Sequence, residues 1–148
     1  MTQDIPEFGD KVAEVQYVLR PGGYAVVRNA AGAIAVASTP RGFVLPGGGQ
    51  DDGETPEETA VRETFEEVGL CIAVCCPLGI ADQLVYAADE ATYYRKRCVF
   101  FSAVLVGREG CGEADHRLLW MPPQHAMAVL RHESQRWAVS EACRLMVE

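Results

Sequence analysis

Short apolar segments separated by turn residues dominate the first third of the chain. Residues 23–28 (GYAVVR) and 33–38 (AIAVAS) are rich in β-branched and small apolar side chains, and they flank residues 29–32 (NAAG), a turn-forming composition. This pattern predicts a β-hairpin. Residues 42–45 (GFVL) then lead into residues 46–53 (PGGGQDDG), which their glycine and proline content predicts to be a loop.

Further strands are predicted in the second half of the chain. The run CVFFSAVLV at residues 98–106 is continuously apolar, which predicts a strand buried on both faces. Shorter runs at residues 70–76 and at about residues 83–86 predict two more strands, and another short strand ends at residues 120–121.

A helix is predicted between these two groups of strands. Thr55 has the properties of an N-cap residue, Pro56 suits the first helical position, and Glu58 completes a capping box three residues after the cap. Gly69 is expected to end the helix.

The C-terminal part, residues 124–147, has the periodicity of one or two closing helices. Strands before and after a central helix, followed by terminal helices, predict an α/β (α+β) fold with a mixed β-sheet and helices on its faces. No linker, repeat or low-complexity tract interrupts the chain, so one domain over residues 1–148 is expected.

On a helical wheel the central helix has two distinct faces. Val61, Phe65 and Val68 form an apolar stripe at i, i+4 and i+7, which we expect to dock on the sheet. The opposite face carries three carboxylates: Glu63, Glu66 and Glu67. Like charges at such spacings destabilise a helix by about 0.2–0.5 kcal/mol per pair, so a compensating cation is expected.

The acidic face has two interpretations. It is a solvated helix surface, or it binds a hard divalent cation such as Mg²⁺, which prefers oxygen ligands and recruits phosphates. The three glycines at residues 47–49 favour the second, because glycine lets backbone carbonyls approach an ion closely. A phosphate loop is disfavoured because Glu54 stands where lysine is needed, and the EF-hand pattern is absent.

Charge and composition restrict the function further. The 148 residues include 13 basic and 21 acidic side chains, a formal net charge of −8, which argues against a protein that grips a nucleic-acid polymer through its phosphates. A phosphate ligand must therefore bring its own cations. No apolar run is long enough for a membrane span, and the first ten residues lack the features of a secretory signal, so a cytoplasmic location is expected.

The cysteines and histidines do not suggest a metal site. Six cysteines contain no C-x-x-C pair, and in a chain without a signal they are expected to be reduced thiols. The three histidines, His116, His125 and His132, are not at zinc-ligand spacing with any cysteine.

The segment GGQDDGETPEETAVRETFEEVGL at residues 48–70 resembles the Nudix box, G-x5-E-x7-R-E-U-x-E-E-x-G-U, where U is a bulky apolar residue. All seven fixed identities are present: Gly48, Glu54, Arg62, Glu63, Glu66, Glu67 and Gly69. One position departs from the motif, since Thr64 stands where an apolar residue is usual. The preceding residues 43–47 (FVLPG) are also similar to the family's approach to the box.

This resemblance implies a fold and a reaction. The fold is an α/β/α sandwich that extends over nearly the whole chain. The reaction is the Mg²⁺-dependent hydrolysis, with Mn²⁺ as a substitute, of a nucleoside diphosphate linked to another moiety. Nucleoside triphosphates, oxidised nucleotides, dinucleoside polyphosphates and nucleotide sugars all contain that linkage, so the substrate stays open. A homodimer is compatible with the resemblance, which leaves the oligomeric state undetermined.

The resemblance also assigns roles to individual residues. The metal ligands it implies are first Glu63 and Glu67, then Glu66, with the Gly47 carbonyl as a backbone ligand. Glu54 and Arg62 are implied to orient those carboxylates. The general base is a glutamate of the box, for which Glu63 is favoured and then Glu67, or an acidic residue further along the chain.

For that downstream acid, Glu113 and Asp115 lie seven and five residues before Trp120, where related chains place an acidic metal ligand. A solvated turn explains these two residues equally well. Glu90 and Glu109 are weaker candidates.

Two candidate substrate contacts lie in the strands after the box. Tyr86 is either a base-stacking residue or an ordinary sheet aromatic. Arg95 belongs to an aromatic and basic segment, residues 93–97 (YYRKR), which is either a substrate-facing patch or a solvated strand edge.

Two other functions fit the same motif. A Nudix-fold protein can sense a nucleotide without hydrolysing it, although an incomplete box favours that role and this box is complete. An isomerase or decapping-type member is the other alternative, and the absence of a basic RNA-binding face argues against decapping.

Overall fold

The computed structural model describes residues 4–108 and 110–147, so Glu109 lies outside the described residues. The elements in chain order are β1 (Glu7–Phe8), β2 (Val18–Arg28), β3 (Ile34–Thr39), β4 (Gly42–Val44), β5 (Gly47–Gly49), α1 (Pro56–Val68), β6 (Leu70–Ala87), β7 (Thr92–Arg108), β8 (Arg117–Met121), α2 (Pro123–Val129) and α3 (Glu133–Val147).

These strands form a mixed sheet in the order β1-β6-β7-β2-β3-β4, with β5 paired to β2 and β8 paired to β3. The β2–β7 and β1–β6 pairs are parallel, and the remaining pairs are antiparallel. One core cluster packs beneath α2 and α3, and a second packs beneath α1. The predicted mixed sheet with helices on both faces is confirmed.

The hairpin prediction is also confirmed. β2 pairs antiparallel with β3 through Arg28 and Ile34. Asn29 makes the turn, because its Oδ1 accepts hydrogen bonds from the backbone N–H groups of Ala31 and Ala33, both at 3.0 Å.

Part of the predicted loop at residues 46–53 is a strand. Gly47–Gly49 forms β5, in which Gly48 and Gly49 pair with Gly23 and Gly22 of β2. A Cβ atom at Gly22 would lie 2.5 Å from the Gly48 carbonyl oxygen, so this pairing needs glycine on both strands. The loop prediction is wrong here because composition alone does not show that two glycine segments face each other.

The strands predicted at residues 70–76 and 83–86 are one strand, β6. Pro77 and Gly79 suggest a break in the sequence, but register shifts between residues 71 and 79 absorb them while the pairing to β7 continues. At Gly79 a Cβ atom would lie 2.9 Å from the Trp137 ring, whose other neighbours are Phe8 and Phe100. Trp137 therefore packs in the core.

The burial predicted for residues 98–106 holds only for their first part. Cys98 and Phe100 belong to the core beneath α2 and α3, and Phe101 and Ala103 belong to the core beneath α1. Val106 is 68% exposed, and Val104 on the same face is also exposed, because the cover of α2 and α3 ends before that point of β7.

The face through which α1 docks differs from the predicted stripe. Val61 is 36% exposed and Phe65 is 43% exposed, whereas Ala60, Thr64 and Val68 are buried. Small side chains are needed at this contact because the backbone of β2 lies against the first turns of α1. The Thr64 hydroxyl donates to the Ala60 carbonyl at 2.6 Å, so threonine fits this buried position without an unsatisfied polar group.

Within the described residues, no helix is long and apolar enough to cross a bilayer.

Candidate active site

The capping residues of α1 fix where its carboxylates lie. Thr55 Oγ1 accepts the Glu58 N–H at 3.1 Å, and Glu58 Oε1 accepts the Thr55 N–H at 2.9 Å, which is the predicted capping box. Gly69 ends the helix with a left-handed backbone (φ 72°), and its N–H donates to the Phe65 carbonyl. The helix therefore starts and ends where the sequence predicts.

Arg62 is the centre of an ion-pair network on the exposed side of α1. Its Nε and Nη2 donate to the two carboxylate oxygens of Glu54 at 2.7 and 3.0 Å, a bidentate pair. Its Nη1 donates to Glu63 at 2.9 Å and to Glu66 at 3.1 Å. Its Nη2 also reaches the Gly49 carbonyl at 3.2 Å, so one guanidinium ties α1 to β5.

This network keeps Glu54 ionised. The hydrogen bonds from Arg62 and then from the Thr59 hydroxyl, at 2.6 Å, lower the pKa of Glu54 to about 2. The pKa of Arg62 is raised in turn, chiefly by its hydrogen bond to Glu54. Glu54 and Arg62 thus form the pair that the family resemblance implies, and their effect on the catalytic carboxylates stays a prediction.

Two carboxylates of α1 point at the glycine strand β5. The Gly47 N–H donates to Glu67 Oε1 at 2.8 Å. The Glu63 carboxylate lies so close to Gly48 that a Cβ atom there would be 2.8 Å from Glu63 Cδ. The side chain of Glu63 is 19% exposed and that of Glu67 is 12% exposed, whereas Glu66 is 49% exposed.

The carboxylate pair of Glu63 and Glu67 is suited to a divalent cation. Burial raises the pKa of both residues, and the charge of Glu63 adds to the effect on Glu67. Two partly buried like charges beside a backbone strand are costly unless a cation neutralises them. Because the ligand atoms are oxygens, the fit is to a hard ion such as Mg²⁺ or Mn²⁺. Gly47 contacts Glu67 through its N–H, and the role of its carbonyl stays a prediction.

His116, in the segment between β7 and β8, also lies beside this pair. It was not predicted from the sequence to be a site residue. Its Nε2 lies 3.3 Å from Glu67 Oε2, and its Nδ1 lies 2.8 Å from Asp115 Oδ1 and 3.5 Å from Glu113 Oε2. Its place directly after the acidic residues 113 and 115, just before β8, is the sequence signal that could have identified it.

The downstream acids lie beside His116. Among the described residues, Glu113, Asp115 and His116 form a group whose ligand atoms lie within 4.8 Å of one another. The Glu113 N–H also donates to the Glu67 carbonyl at 2.9 Å. Asp115 and His116 line the cavity described next, and Glu113 lines a neighbouring surface cleft instead. The structure therefore brings both downstream candidates near the carboxylate pair.

A cavity of about 660 Å³ opens beside Glu63 and Glu67, between β2, β5, β7 and the start of α3. Its size is typical of a small-molecule site. Basic side chains also line it: Arg20, Arg41, Lys96 and Arg131. The cavity thus combines carboxylates that suit a metal with cations that suit an anionic ligand.

The two predicted substrate contacts do not line this cavity. Tyr86 is 53% exposed, and its ring lies 4.6 Å from that of Tyr93. Arg95 Nη1 binds Glu7 at 2.7 Å and Asp82 at 3.0 Å on the other face of the sheet. Substrate binding by either residue stays a prediction without support from the cavity.

Residues 93–97, predicted as one patch, are divided between the two faces of β7. Arg95 and Arg97 both bind Asp82, which is 2% exposed. Lys96 lies on the opposite face and lines the cavity. The basic residue that reaches the cavity from this segment is therefore Lys96.

The pH dependence of stability in the absence of metal tests whether the carboxylate pair needs a cation. The folded pKa of Glu67 is raised from 4.5 to about 7, so its contribution to stability is present below pH 4.5 and is lost as the pH rises to 7. In EDTA, the free energy of unfolding of Glu67→Gln, relative to that of the wild type, is therefore expected to rise by about 2 kcal/mol between pH 5 and pH 8. Thermal unfolding of both proteins measures this gain.

Adding Mg²⁺ at pH 8 should stabilise the wild type and stabilise Glu67→Gln much less, because the variant lacks one of the two carboxylates of the pair. A difference between the two proteins that is constant across the pH range, with no response to Mg²⁺, would contradict the interpretation of the pair as a metal site.

Comparisons with known proteins agree with this geometry. The NUDIX domain profile matches residues 18–143. Among solved structures, the chain resembles a NUDIX hydrolase from Nitrosomonas europaea, with a TM-score of 0.70 and 18% identity over 86% of this chain and 90% of that one. No curated protein sequence matches the chain.

Two further structures have the same fold. An Ap4A hydrolase from C. elegans, solved as a binary complex, matches with a TM-score of 0.68 and 16% identity over 86% of this chain and 98% of that one. The dihydroneopterin triphosphate pyrophosphohydrolase of E. coli matches with a TM-score of 0.64 and 17% identity over 84% of this chain and 96% of that one. With the profile match over most of its length, the chain belongs to the Nudix family.

Proposed function

We propose that this protein is a divalent-metal-dependent hydrolase that cleaves the diphosphate linkage of a nucleoside diphosphate joined to another moiety. The observation that carries the proposal is the placement of the carboxylate pair, Glu63 and Glu67, beside the glycine strand at a cavity that also contains basic side chains. A protein of net charge −8 can bind a polyphosphate there when the metal and these basic side chains offset its charge.

The residues that would hold Mg²⁺ are Glu63 and Glu67, with the Gly47 carbonyl and Glu66 as further ligands. When bound, such a cation neutralises the diphosphate and lowers the pKa of a water molecule, which makes hydrolysis at phosphorus possible near neutral pH. Arg62 holds Glu63 and Glu66 in place through the hydrogen bonds described above. Glu54 keeps the Arg62 guanidinium oriented by its bidentate pair.

The attacking water needs a proton acceptor, and the geometry favours Glu67. Its Oε1 is occupied by the Gly47 N–H, so its Oε2 is the oxygen available to take a proton. His116 Nε2, at 3.3 Å from that oxygen, can hold Glu67 in orientation. Glu63 and Asp115 are the alternative acceptors.

The substrate class is a nucleoside di- or polyphosphate derivative. The Ap4A hydrolase and the dihydroneopterin triphosphate pyrophosphohydrolase share the fold, and their names describe compounds with three or more linked phosphates. The cavity volume of about 660 Å³ suits a ligand of nucleotide size.

A hydrolysis assay across substrate classes tests the proposal. Nucleoside triphosphates, including the 8-oxo form of dGTP, dinucleoside polyphosphates, ADP-ribose and nucleotide sugars are each incubated with Mg²⁺, with Mn²⁺ and with EDTA, and the products are resolved by mass. We expect cleavage of at least one class that stops in EDTA and resumes when metal is restored. A folded protein that cleaves none of them with either metal would contradict the proposal.

A further inference from the structure

The wall of the cavity formed by the sheet carries a row of polar side chains. Arg20 of β2 is in register with Lys96 of β7, and Lys96 is in register with Gln83 of β6. Residues in register on adjacent strands project from the same face of a sheet. All three line the cavity, so the row crosses the wall formed by the sheet from one strand to the next.

The cations along this wall have no carboxylate partner among the residues that the structure describes. We call Arg20 and Lys96 of the sheet, together with Arg131 from the segment between α2 and α3, the basic wall. The Arg20 guanidinium lies 5.2 Å from the centre of the Tyr94 ring. The nearby Glu90 carboxylate accepts the Tyr94 hydroxyl at 2.9 Å, and its charge acts to raise the pKa of Lys96 without forming an ion pair with it among the described residues. On the other face of β7, by contrast, Arg95 and Arg97 are paired with Asp82.

The first turn of α3 adds to the positive character of the same part of the cavity. His132, Ser134 and Gln135 line it at the N-terminus of a 15-residue helix, where the backbone carries a partial positive charge. Ser134 is 1% exposed, and its Oγ has no hydrogen-bond partner among the described residues. The Ser134 N–H already donates to Gln83 Oε1 at 3.0 Å, so the Ser134 hydroxyl is the group suited to donate to an anion.

The pKa values of Lys96 and His132 reflect their burial and the charges around them. Burial lowers the pKa of Lys96, and the charges of Arg20 and Arg131 lower it further. Burial also lowers the pKa of His132 to about 4, with contributions from Arg131 and Lys96. His132 is thus neutral at physiological pH, and an anion bound here would relieve the repulsion among the remaining cations.

We propose that the basic wall binds a phosphate group which the substrate carries in addition to the diphosphate that is cleaved. This inference rests on the proposed function, because it assigns the orientation of the substrate in the same cavity. A phosphate fits better than a singly charged group, since three cations and a buried hydroxyl without a partner line the same cavity. That phosphate is either part of a longer polyphosphate chain or attached to the sugar of the second moiety.

Kinetics on matched substrates test the proposal. One pair differs in chain length, diadenosine diphosphate against diadenosine tetraphosphate, and the other differs in the sugar, ADP-ribose against ADP-ribose phosphorylated on its terminal ribose. We expect Lys96→Gln to lower kcat/KM about 10- to 100-fold for the member with the extra phosphate, mainly through KM, and less than about threefold for the other member. The pair that shows this difference identifies the source of the phosphate.

The matched control is Lys11→Gln, because lysine occurs in this chain only at positions 11 and 96. Lys11 is exposed, and its ammonium lies 3.9 Å from Glu7, away from the cavity. This variant should match the wild type on every substrate. Equal losses for both members of each pair in Lys96→Gln, or no loss for either, would overturn the proposal.

A binding measurement separates this proposal from the failure of the hydrolase function. The lysines are converted to isotope-labelled dimethyl-lysines, which keep their charge, and the Lys96 resonance is assigned by its loss in Lys96→Gln. In EDTA, inorganic tripolyphosphate should shift the Lys96 resonance and leave that of Lys11 in place. A shift without hydrolysis supports the phosphate site and contradicts the proposed function, whereas hydrolysis without a shift overturns the phosphate site alone.

Discussion

Glu67→Gln is expected to lower metal-dependent kcat/KM by about 10²- to 10⁴-fold while the protein stays folded. Glutamine keeps the size of the side chain, and its carbonyl oxygen can still accept the Gly47 N–H that Glu67 Oε1 accepts at 2.8 Å. The substitution removes the negative charge that favours a cation and the oxygen that can take a proton from water. Initial rates at saturating Mg²⁺, with circular dichroism as the check on folding, measure the effect.

Glu57→Gln is the matched control for this variant. Glu57 lies in the first turn of the same helix and is exposed, so the substitution makes the same change in charge outside the site. Its activity should stay within about threefold of the wild type, since exposed substitutions of this kind change little. If Glu67→Gln were as active as Glu57→Gln, the carboxylate pair would have no part in the reaction.

Glu66 is expected to matter less than Glu63 and Glu67. Its side chain is half exposed, and one of its oxygens is already bound by Arg62 at 3.1 Å. The family resemblance already ranks Glu66 after Glu63 and Glu67, and in the structure these two carboxylates lie against the glycine strand. Helical spacing fixes which side chains share a face, but not which of them another segment of the chain will cover.

Local signals in the sequence were sufficient for the ends of α1, whereas the pairing of Glu54 with Arg62 was implied only by the family resemblance. The capping box and the C-terminal glycine act within a few residues, so they can be read directly. The docking face of α1 depends on the glycines of β2, more than thirty residues earlier in the chain, and was predicted wrongly from the helical wheel. The periodicity of the sequence indicates an apolar stripe on the helix, but it does not show how much space the facing strand leaves for the side chains of that stripe.

The substrate contacts were the hardest part of the site to predict. Alternation along a strand says that Arg95 and Lys96 point to opposite faces, but only the pairing of β7 with β2 and β6 shows which face meets the cavity. His116 was missed for a similar reason, because its contact with Glu67 joins segments almost fifty residues apart. These residues depend on long-range pairing, which one sequence does not reveal.

The close contact of α1 with β2 makes Gly23 a residue at which a single methyl group should have a large effect on stability. A Cβ atom there would lie 2.0 Å from the Pro56 carbonyl oxygen, 3.0 Å from the Pro56 carbonyl carbon and 3.1 Å from the Ala60 nitrogen. All three are backbone atoms, so Gly23→Ala can be accommodated only if α1 moves away from the sheet. Overpacking of this kind destabilises a protein by about 1–3 kcal/mol or more.

Gly23→Ala is therefore expected to lower Tm by roughly 3–10 °C and to reduce kcat/KM at least about tenfold, because α1 also carries Glu63 and Glu67. Gly107→Ala is the matched control. Gly107 also lies in a strand, no heavy atom of a non-adjacent described residue lies within 4 Å of its Cβ position, and neither glycine has a left-handed backbone. Thermal unfolding and initial rates for the two variants measure the difference. Equal Tm values for Gly23→Ala and Gly107→Ala would show that α1 can shift without a loss of stability. The close approach of β2 at Gly23 would then not hold α1 at a fixed distance from the sheet.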